Sequence, residues 1–232
     1  MRAVILAGGK GTRLWPYTSV LPKPLLPVGD APILSIVLQQ LARSGVTRAT
    51  LAVGHMAEMF PRVLGRSTGA LRLDYVRERT PLGTAAPLRH VRGLSSTFLV
   101  LNGDILTDLD FQALVRHHRQ RRAAATIATF RRKVNVDFGV IETQRDGWLA
   151  AYHEKPSLSY RVSMGIYVFE PEVLRHIPAR GAFDFPDLIQ ALLQAGTPVA
   201  SYPFSGRWLD IGRPDDFLAA QTEFSRNRRR YL

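Results

Sequence analysis

The first half of this 232-residue chain alternates short apolar runs with helical patterns, and that order restricts the fold more than any other feature. Four apolar runs have the length of buried strands, and they cover residues 4–7, 49–53, 71–76 and 98–101. Three segments between them have the periodicity of helices, at 33–44, near 55–64 and at 84–93. Strands that alternate with helices are typical of an open, largely parallel sheet with helices on both faces.

The second half contains more strand than helix. Four further strands are predicted at 124–130, 138–142, 148–154 and 162–169. The dipeptide Asp146-Gly147 between two of them is a hairpin signal, and Asp184 and Pro214 begin two later helices near 184–195 and 214–226. We therefore expect an α/β fold: a Rossmann-like, doubly wound, mixed but mostly parallel sheet, with helices on both faces and a small antiparallel patch.

The composition narrows the classes of partner. With 31 Lys plus Arg against 19 Asp plus Glu, the net charge of +12 suits nucleic acid, acidic membranes or phosphorylated small molecules. The absence of cysteine excludes disulfides, thiolate catalysis and Cys-ligated zinc. The N-terminal apolar stretch ends at Gly8, too early for a signal peptide, and no run approaches the roughly 20 apolar residues of a membrane span. We predict a cytoplasmic protein with no membrane partner.

A glycine-rich loop, residues 7–14, directly follows the first predicted strand. Glycines allow backbone N–H groups to approach a phosphate, but two familiar phosphate motifs do not fit. A dinucleotide fingerprint needs glycine where Leu14 stands, and a Walker A loop needs Ser or Thr after Lys10. The prolines that follow are expected to keep the next stretch of chain extended. Arg13 and Lys23 place fixed positive charges beside the loop, and such charges suit the binding of a triphosphate.

Residues 6–16 and 21–29 resemble the signature of the sugar-1-phosphate nucleotidylyltransferases almost position for position. Segments 102–104, 154–156 and 208–212 also match, so the resemblance spans nearly the whole chain. The family's reaction joins a sugar 1-phosphate to a nucleoside triphosphate and releases pyrophosphate, by in-line displacement at the α-phosphorus. The attacking phosphate is already an anion, so alignment and charge screening matter more than a general base.

The resemblance implies a role for individual residues. The catalytic set would be Arg13, Lys23, Asp104, Lys155 and Asp210. The nucleotide-binding set would be Leu6, Ala7, Gly8, Gly9, Lys10, Gly11, Thr12, Arg13, Glu78, Pro81, Gly83, Thr84, Asn102 and Gly103. The sugar-binding set would be Asp104, Gly139, Glu154, Lys155 and Gly165.

Magnesium is the expected cofactor, because Mg²⁺ prefers oxygen ligands and needs only one or two carboxylates beside phosphate oxygens. Asp104 follows a buried strand and is the natural first ligand; Asp210 is the second by resemblance. Asp108 and Asp110 are nearby competitors, although Asp110 is predicted to cap the following helix. The six histidines have no metal-ligand spacing, and His117-His118 are expected to be exposed.

The segment 78–86 resembles the base-reading loop of the guanylyltransferase branch, whose members act on mannose 1-phosphate or manno-heptose 1-phosphate. GTP is therefore the favoured substrate, with UTP, dTTP and CTP as alternatives. The sequence departs from the family's usual pattern at two places: Ser163-Met164 before Gly165, and Arg207 before Trp208. The acceptor is therefore left open between a sugar 1-phosphate and a cyclitol 1-phosphate.

We expect a single domain over 1–232, with a nucleotide-binding half at about 1–110 and a sugar-binding half at about 111–225. The basic tail, 226–232, is expected to be solvated and mobile, with no C-terminal β-helix domain. The sequence leaves open whether the protein forms a homodimer. The alternatives are a non-catalytic regulatory homologue, disfavoured because the motif residues are present, and a nucleic-acid-binding protein, disfavoured because the basic clusters lack interleaved aromatics.

Overall fold

A computed structural model describes residues 1–78 and 80–232; Arg79, within the predicted base-reading loop, lies outside the described residues. The strands are β1 (Arg2–Ala7), β2 (Pro27–Val28), β3 (Ala31–Pro32), β4 (Arg48–Val53), β5 (Ser67–Thr68), β6 (Leu71–Arg77), β7 (Phe98–Asn102), β8 (Ile105–Thr107), β9 (Ala125–Asn135), β10 (Val140–Thr143), β11 (Leu149–His153), β12 (Ser157–Phe169), β13 (Val199–Phe204) and β14 (Trp208–Asp210). The α-helices are α1 (Ile33–Arg43), α2 (Met59–Leu64), α3 (Phe111–Arg121), α4 (Phe185–Gln194) and α5 (Pro214–Tyr231).

An eight-stranded sheet forms the centre of the molecule, in the order β13-β9-β12-β7-β1-β4-β6-β5. β1 pairs in parallel with both β4 and β7, and β4 pairs in parallel with β6. β12 runs antiparallel to β7 and to β9, so β9 and its parallel neighbour β13 again run in the direction of β1. The sheet is therefore mixed and mostly parallel, which confirms the predicted fold class.

The two faces of the sheet carry separate apolar clusters, because alternate residues of a strand point to opposite faces. In β1, Ala3, Ile5 and Ala7 pack with α1, α2 and α3, while Val4 packs on the other face with α4. These helices cover both faces, as expected of a doubly wound fold. In the described part of the chain, no helix is long and apolar enough to cross a membrane.

The C-terminal segment is folded, which corrects the expectation of a mobile tail. α5 continues to Tyr231, whose side chain is 1% exposed and donates a hydrogen bond to Glu223 over 3.0 Å. Arg228 forms an ion pair with Asp30 at 2.9 Å. The helix is kinked at Asn227, within the basic run, and buried Tyr231 anchors the turn beyond the kink, while the arginine side chains are exposed.

Three local predictions need correction. Residues 84–93 do not form an α-helix; a 3₁₀ helix covers only Ala86–His90, with a proline in its first turn. The helix predicted near 55–64 is confined to Met59–Leu64. The stretch after the glycine loop is extended only at Pro27, which begins β2. Pro16, Pro22 and Pro24 lie in or beside short 3₁₀ turns, and such turns cover Thr12–Leu14, Tyr17–Ser19 and Lys23–Leu25.

His118 is not exposed as expected but is buried in α3, 1% exposed. Its Nδ1 lies 2.8 Å from Thr126 Oγ1 and its Nε2 lies 3.1 Å from Glu170 Oε1. Thr97 also donates to this Glu170 oxygen, over 2.6 Å. Thr126 of β9, together with Glu170 directly after β12 and Thr97 directly before β7, therefore explains how an imidazole is accommodated between α3 and the sheet.

Candidate active site

The glycine loop lies at the edge of the sheet where the parallel strands end. Gly8 is enclosed: a Cβ built on Gly54 would lie 2.7 Å from Gly8 O, and one built on Gly8 would lie 2.8 Å from Glu78 Oε1. His55 N–H donates to the Gly8 carbonyl over 3.2 Å. The ends of β1, β4 and β6 therefore meet at Gly8, where neither Gly8 nor Gly54 has room for a side chain.

The cations of the loop are positioned by a tight turn. Gly11 has the left-handed backbone angle φ +64° and precedes the 3₁₀ turn that carries Arg13. Thr18 Oγ1 donates to the Gly11 carbonyl over 2.9 Å, and a Cβ on Gly11 would lie 3.1 Å from the Cβ of Lys23. Arg13 and Lys23 are thus brought together by packing around a position that requires glycine.

Three adjoining cavities surround this loop. The first, about 340 Å³, is lined by Leu6, Gly8, Gly9, Glu78, Pro81, Leu82, Gly83, Thr84, Pro87, Asn102 and Asp104. The second, about 290 Å³, is lined by Leu6, Ala7, Gly9, Gly11, Thr12, Arg13, Lys23, Pro24, Asp104 and Gly212. The third, about 480 Å³, is lined by Gly8, Lys10, Gly54, Arg77, Glu78, Thr80 and Pro81.

Most of the residues predicted to bind nucleotide line these cavities. The exception is Gly103, which lies behind the lining and donates its N–H to the Leu6 carbonyl over 2.9 Å. Seven further lining residues had been given no individual binding role from the sequence: Pro24, Gly54, Arg77, Thr80, Leu82, Pro87 and Gly212. Gly54 directly follows β4, so the rule that ligands bind beyond the carboxyl ends of parallel strands is the signal that identifies it.

The two candidate metal ligands lie on neighbouring segments. Asp104 directly precedes β8, and Asp210 ends β14, which pairs with β8. Ile211 N–H donates to the Asp104 carbonyl over 3.1 Å, so the two aspartates come together although 106 positions separate them. The Asp104 carboxylate forms an ion pair with the largely buried ammonium of Lys23.

The charges of these groups are coupled. Burial raises the pKa of the Asp210 carboxyl above its usual value, and the negative charge of Asp104 raises it further. Lys23 and Arg13 act in the opposite direction and lower that pKa. Two carboxylates and two cations therefore share one small region, and a further cation beside the carboxylates would relieve their repulsion.

The turn after Asp210 is fixed by Asp216, a residue of α5 that the sequence reasoning did not select. Asp216 Oδ2 accepts hydrogen bonds from Gly212 N–H over 3.2 Å and from Arg213 N–H over 2.8 Å. A Cβ on Gly212 would lie 3.7 Å from the Arg13 guanidinium. The first turn of α5 thus holds the backbone between Asp210 and Arg13.

The predicted base-reading loop is held by α4. Asp184 Oδ1 accepts from Thr84 N–H over 2.7 Å and from the Thr84 hydroxyl over 2.9 Å. Gly83, at φ +82°, lies against the backbone of Phe183. Burial raises the pKa of Glu78, while a backbone hydrogen bond from Leu82 lowers it. Asp184 was predicted only to begin α4, yet it also anchors this loop.

The predicted sugar-binding residues form two groups. Gly165, at φ +70°, lies against the Asn102 amide, so it packs beside the first cavity. The other group lies on the β10–β11 hairpin: Gly139 packs against Tyr152, whose hydroxyl donates to Glu154 over 2.8 Å.

The hairpin group is not among the residues that line the three cavities around the glycine loop. Both Glu154 and Lys155 are exposed, and Lys155 has a left-handed backbone with φ 43°. Among the predicted sugar-binding residues, Asp104 therefore lines the first and second cavities and Gly165 packs against Asn102 of the first cavity's lining. Gly139, Glu154 and Lys155 lie outside the lining.

Fold and site together define an α/β protein with a glycine loop, adjacent cations and a carboxylate pair at the carboxyl edge of its parallel strands. Residues 2–227 match the family model described as nucleotidyl transferase, and the chain belongs to this family. The predicted family membership is confirmed.

Individual relatives carry more specific names. The chain is 36% identical over 227 residues to mannose-1-phosphate guanyltransferase beta-A of Xenopus laevis, covering 94% of this chain and 63% of that protein. It is 34% identical over 242 residues to UTP–glucose-1-phosphate uridylyltransferase of Synechocystis sp., covering 95% of this chain and 62% of the relative. The chain thus spans less than two thirds of the length of these curated relatives.

A solved structure has the same architecture. The putative glucose-1-phosphate thymidylyltransferase from Bacillus anthracis, described in complex with a sucrose, superposes with a TM-score of 0.75 at 26% identity. The match covers 96% of this chain and 94% of that one. The similarity therefore extends across both halves of the sheet.

Proposed function

We propose that this protein is a sugar-1-phosphate nucleotidylyltransferase, which joins a nucleoside triphosphate to a sugar 1-phosphate and releases pyrophosphate. The observation that carries the proposal is the convergence of Arg13, Lys23, Asp104 and Asp210 beside the glycine loop. The name of the Xenopus relative supports a guanylyltransferase, and we favour GTP over UTP, dTTP and CTP.

Asp104 and Asp210 suit Mg²⁺. Both offer carboxylate oxygens, the donor type that Mg²⁺ prefers, and their mutual repulsion favours a cation between them. Among the described residues there is no group of three or more His, Cys, Asp or Glu positioned to hold a metal. One or two carboxylates suffice for Mg²⁺ when phosphate oxygens complete its shell. When bound there, the ion would screen phosphate charge and polarise the α-phosphate.

The protein's own groups have separate tasks in this proposal. The backbone N–H groups of the glycine loop bind phosphate oxygens, with Arg13 and Lys23 beside them to neutralise the pyrophosphate that leaves. Lys23 holds Asp104 in an ion pair, and a turn of its ammonium toward a bound phosphate would leave that carboxylate free to hold the metal together with Asp210. Alignment of the two substrates supplies much of the rate, since the attacking phosphate needs no proton removed.

In this proposal the β10–β11 hairpin would complete the binding site for the sugar 1-phosphate. We assign sugar contacts to Asp104 in the lining of the first cavity, to Gly165 beside that cavity, and to Gly139, Glu154 and Lys155 on the hairpin. Glu154 can accept hydrogen bonds from sugar hydroxyls, and Lys155 offers a compact charge to the sugar phosphate. The acceptor is a sugar 1-phosphate or a cyclitol 1-phosphate.

The test is a matrix of five nucleoside triphosphates against a panel of sugar and cyclitol 1-phosphates with Mg²⁺, scored by pyrophosphate release. We expect turnover that depends on both substrates and is highest with GTP. Turnover with UTP or dTTP but not GTP would refute the base assignment. Absence of product with every pair would favour the non-catalytic alternative.

A further inference from the structure

A second group of cations lies away from the glycine loop, at the edge of the sheet where β1 and β4 begin. Arg2 and Arg48 are the first residues of these strands and are directly paired in register, so they point to the same face. They line a cavity of about 390 Å³ together with Asp74 of β6 and with His90 and Arg92 from the segment that crosses this face. None of these residues lines the cavities around the glycine loop.

The guanidinium groups of Arg2 and Arg48 are held in place by contacts that use few of their hydrogen atoms. Arg2 Nη1 donates to the Arg92 carbonyl over 2.9 Å, and the group lies so close to Gly93 that a Cβ there would be 2.8 Å from Arg2 Cζ. Arg48 Nε lies 3.5 Å from Asp74 Oδ2. Each guanidinium has five N–H donors, so both retain donors for a ligand.

The charge balance of this cavity favours a multiply charged anion. Arg2, Arg48 and Arg92 carry three positive charges, and Asp74 is the one carboxylate among the described residues that line the cavity. The formal excess is two positive charges with His90 neutral, and these like charges repel while the cavity is empty. An arginine fork matches phosphate geometry with two parallel hydrogen bonds.

The cavity is connected to the base-reading loop by a short, stiff segment. The 3₁₀ helix Ala86–His90 places Pro87 in the first cavity at the glycine loop and His90 in the basic cavity. β6 makes a second connection, since Asp74 lies in the basic cavity and Glu78 follows four residues later at the glycine loop. A ligand that draws His90 and Arg92 toward it therefore acts on the C-terminal end of the predicted loop, and β6 connects the same cavity to its N-terminal end.

We propose that this cavity is a regulatory site for a phosphorylated small molecule, distinct from the substrate site and coupled to the base-reading loop. The proposal does not depend on which triphosphate or sugar the protein uses. It requires only that a di- or polyanion binds between Arg2, Arg48 and Arg92.

The test uses the full chain and inorganic tripolyphosphate at constant ionic strength, with stoichiometry measured by isothermal titration calorimetry. We expect two sites per chain in the wild type and one in Arg48→Gln/Arg92→Gln. Arg62→Gln/Arg121→Gln removes the same charge from exposed positions, and it should keep two sites. If Arg48→Gln/Arg92→Gln binds as many tripolyphosphate ions per chain as the wild type, the proposal is overturned.

A companion variant separates this inference from the proposed function. Arg13→Gln/Lys23→Gln is expected to lose only the site at the glycine loop. If it retains both sites, the phosphate cradle of the proposed function is wrong, whereas the outcome with Arg48→Gln/Arg92→Gln still decides the second site. In Arg13→Gln/Lys23→Gln, tripolyphosphate should slow amide hydrogen exchange in residues 81–84 as well as 90–93. Protection confined to 90–93 would overturn the coupling.

Discussion

Gly54→Ala should displace the glycine loop without altering any group that carries charge. The new Cβ would lie 2.7 Å from Gly8 O and 3.2 and 3.3 Å from two other Gly8 backbone atoms, whereas ordinary contact begins at 3.4 Å. The backbone must therefore move by about 0.7 Å, because the obstacle is main chain that cannot rotate away. The His55 hydrogen bond to the Gly8 carbonyl, already 3.2 Å long, lies in the path of that movement.

The displacement has two measurable costs. Overpacking of this kind destabilises by about 1–3 kcal/mol, and for a chain of this size each kcal/mol lowers Tm by roughly 2–4 °C. A phosphate cradle misplaced by this distance should lower kcat/KM by about tenfold, which corresponds to about 1.4 kcal/mol of lost transition-state stabilisation. Thermal unfolding and pyrophosphate release, measured on the same preparation, report the two effects.

Gly9→Ala is the matched control, because no atom lies within 4 Å of a Cβ built on Gly9 although Gly9 lines two of the cavities. It should keep the wild-type Tm and lose activity through a raised KM for the triphosphate. If Gly54→Ala keeps its Tm within about 1 °C and its kcat/KM within about twofold, the steric reasoning is wrong.

Three further predictions concern titratable groups. Asp104→Asn and Asp210→Asn should each lower kcat at least about a hundredfold while the circular dichroism spectrum stays native, since each removes a negative metal ligand; retained turnover would refute the metal assignment. Without substrate, Asp210→Asn should raise stability at pH 7 by up to about 1 kcal/mol, because the raised pKa makes ionised Asp210 unfavourable in the folded state. Urea unfolding should show that gain vanishing as the pH falls toward 3.8, and an equal gain at both pH values would contradict it. Burial lowers the pKa of His118, so the unfolded chain takes up its proton first and folding stability falls as the pH drops below 6.5. His118→Gln should flatten the stability profile between pH 7 and pH 5, because it removes the group whose pKa burial lowers, and a profile as steep as that of the wild type would contradict this reasoning.

The strands could be predicted wherever both faces are buried. The runs that became β1, β4 and β7 are largely apolar because the sheet is covered on both sides there, whereas β6, with Arg72 and Asp74, is only partly buried. The predicted bounds of all four strands differ from the observed ones by at most two residues. β9 and β12 extend well beyond their predictions. Residues 131–135 and 157–161 are exposed and carry little apolar signal, so only cross-strand pairing reveals them as strand.

The errors arose where distant parts of the chain meet. The anchoring of Thr84 by Asp184 joins positions a hundred residues apart, and no local pattern encodes such a contact. The C-terminal tail was misjudged for a different reason. Phe217, Phe224 and Tyr231 recur at helical spacing and signal a buried stripe, but the dense arginines between them were taken as evidence of a solvated end.

The four lysines show how sequence and structure complement each other. Three of them, Lys10, Lys23 and Lys155, fall in the motifs that match the family, while the chain uses arginine for its other cations almost everywhere. At position 23 the reason is spatial: the side chain is 10% exposed, it packs beside Gly11 and it reaches Asp104. A planar guanidinium is larger and demands more hydrogen-bond acceptors than this confined position offers, whereas an ammonium can exchange a carboxylate for a phosphate by a small movement. The local balance of charge thus accounts for this choice of residue, whereas the net charge of +12 is distributed over surfaces well outside this site.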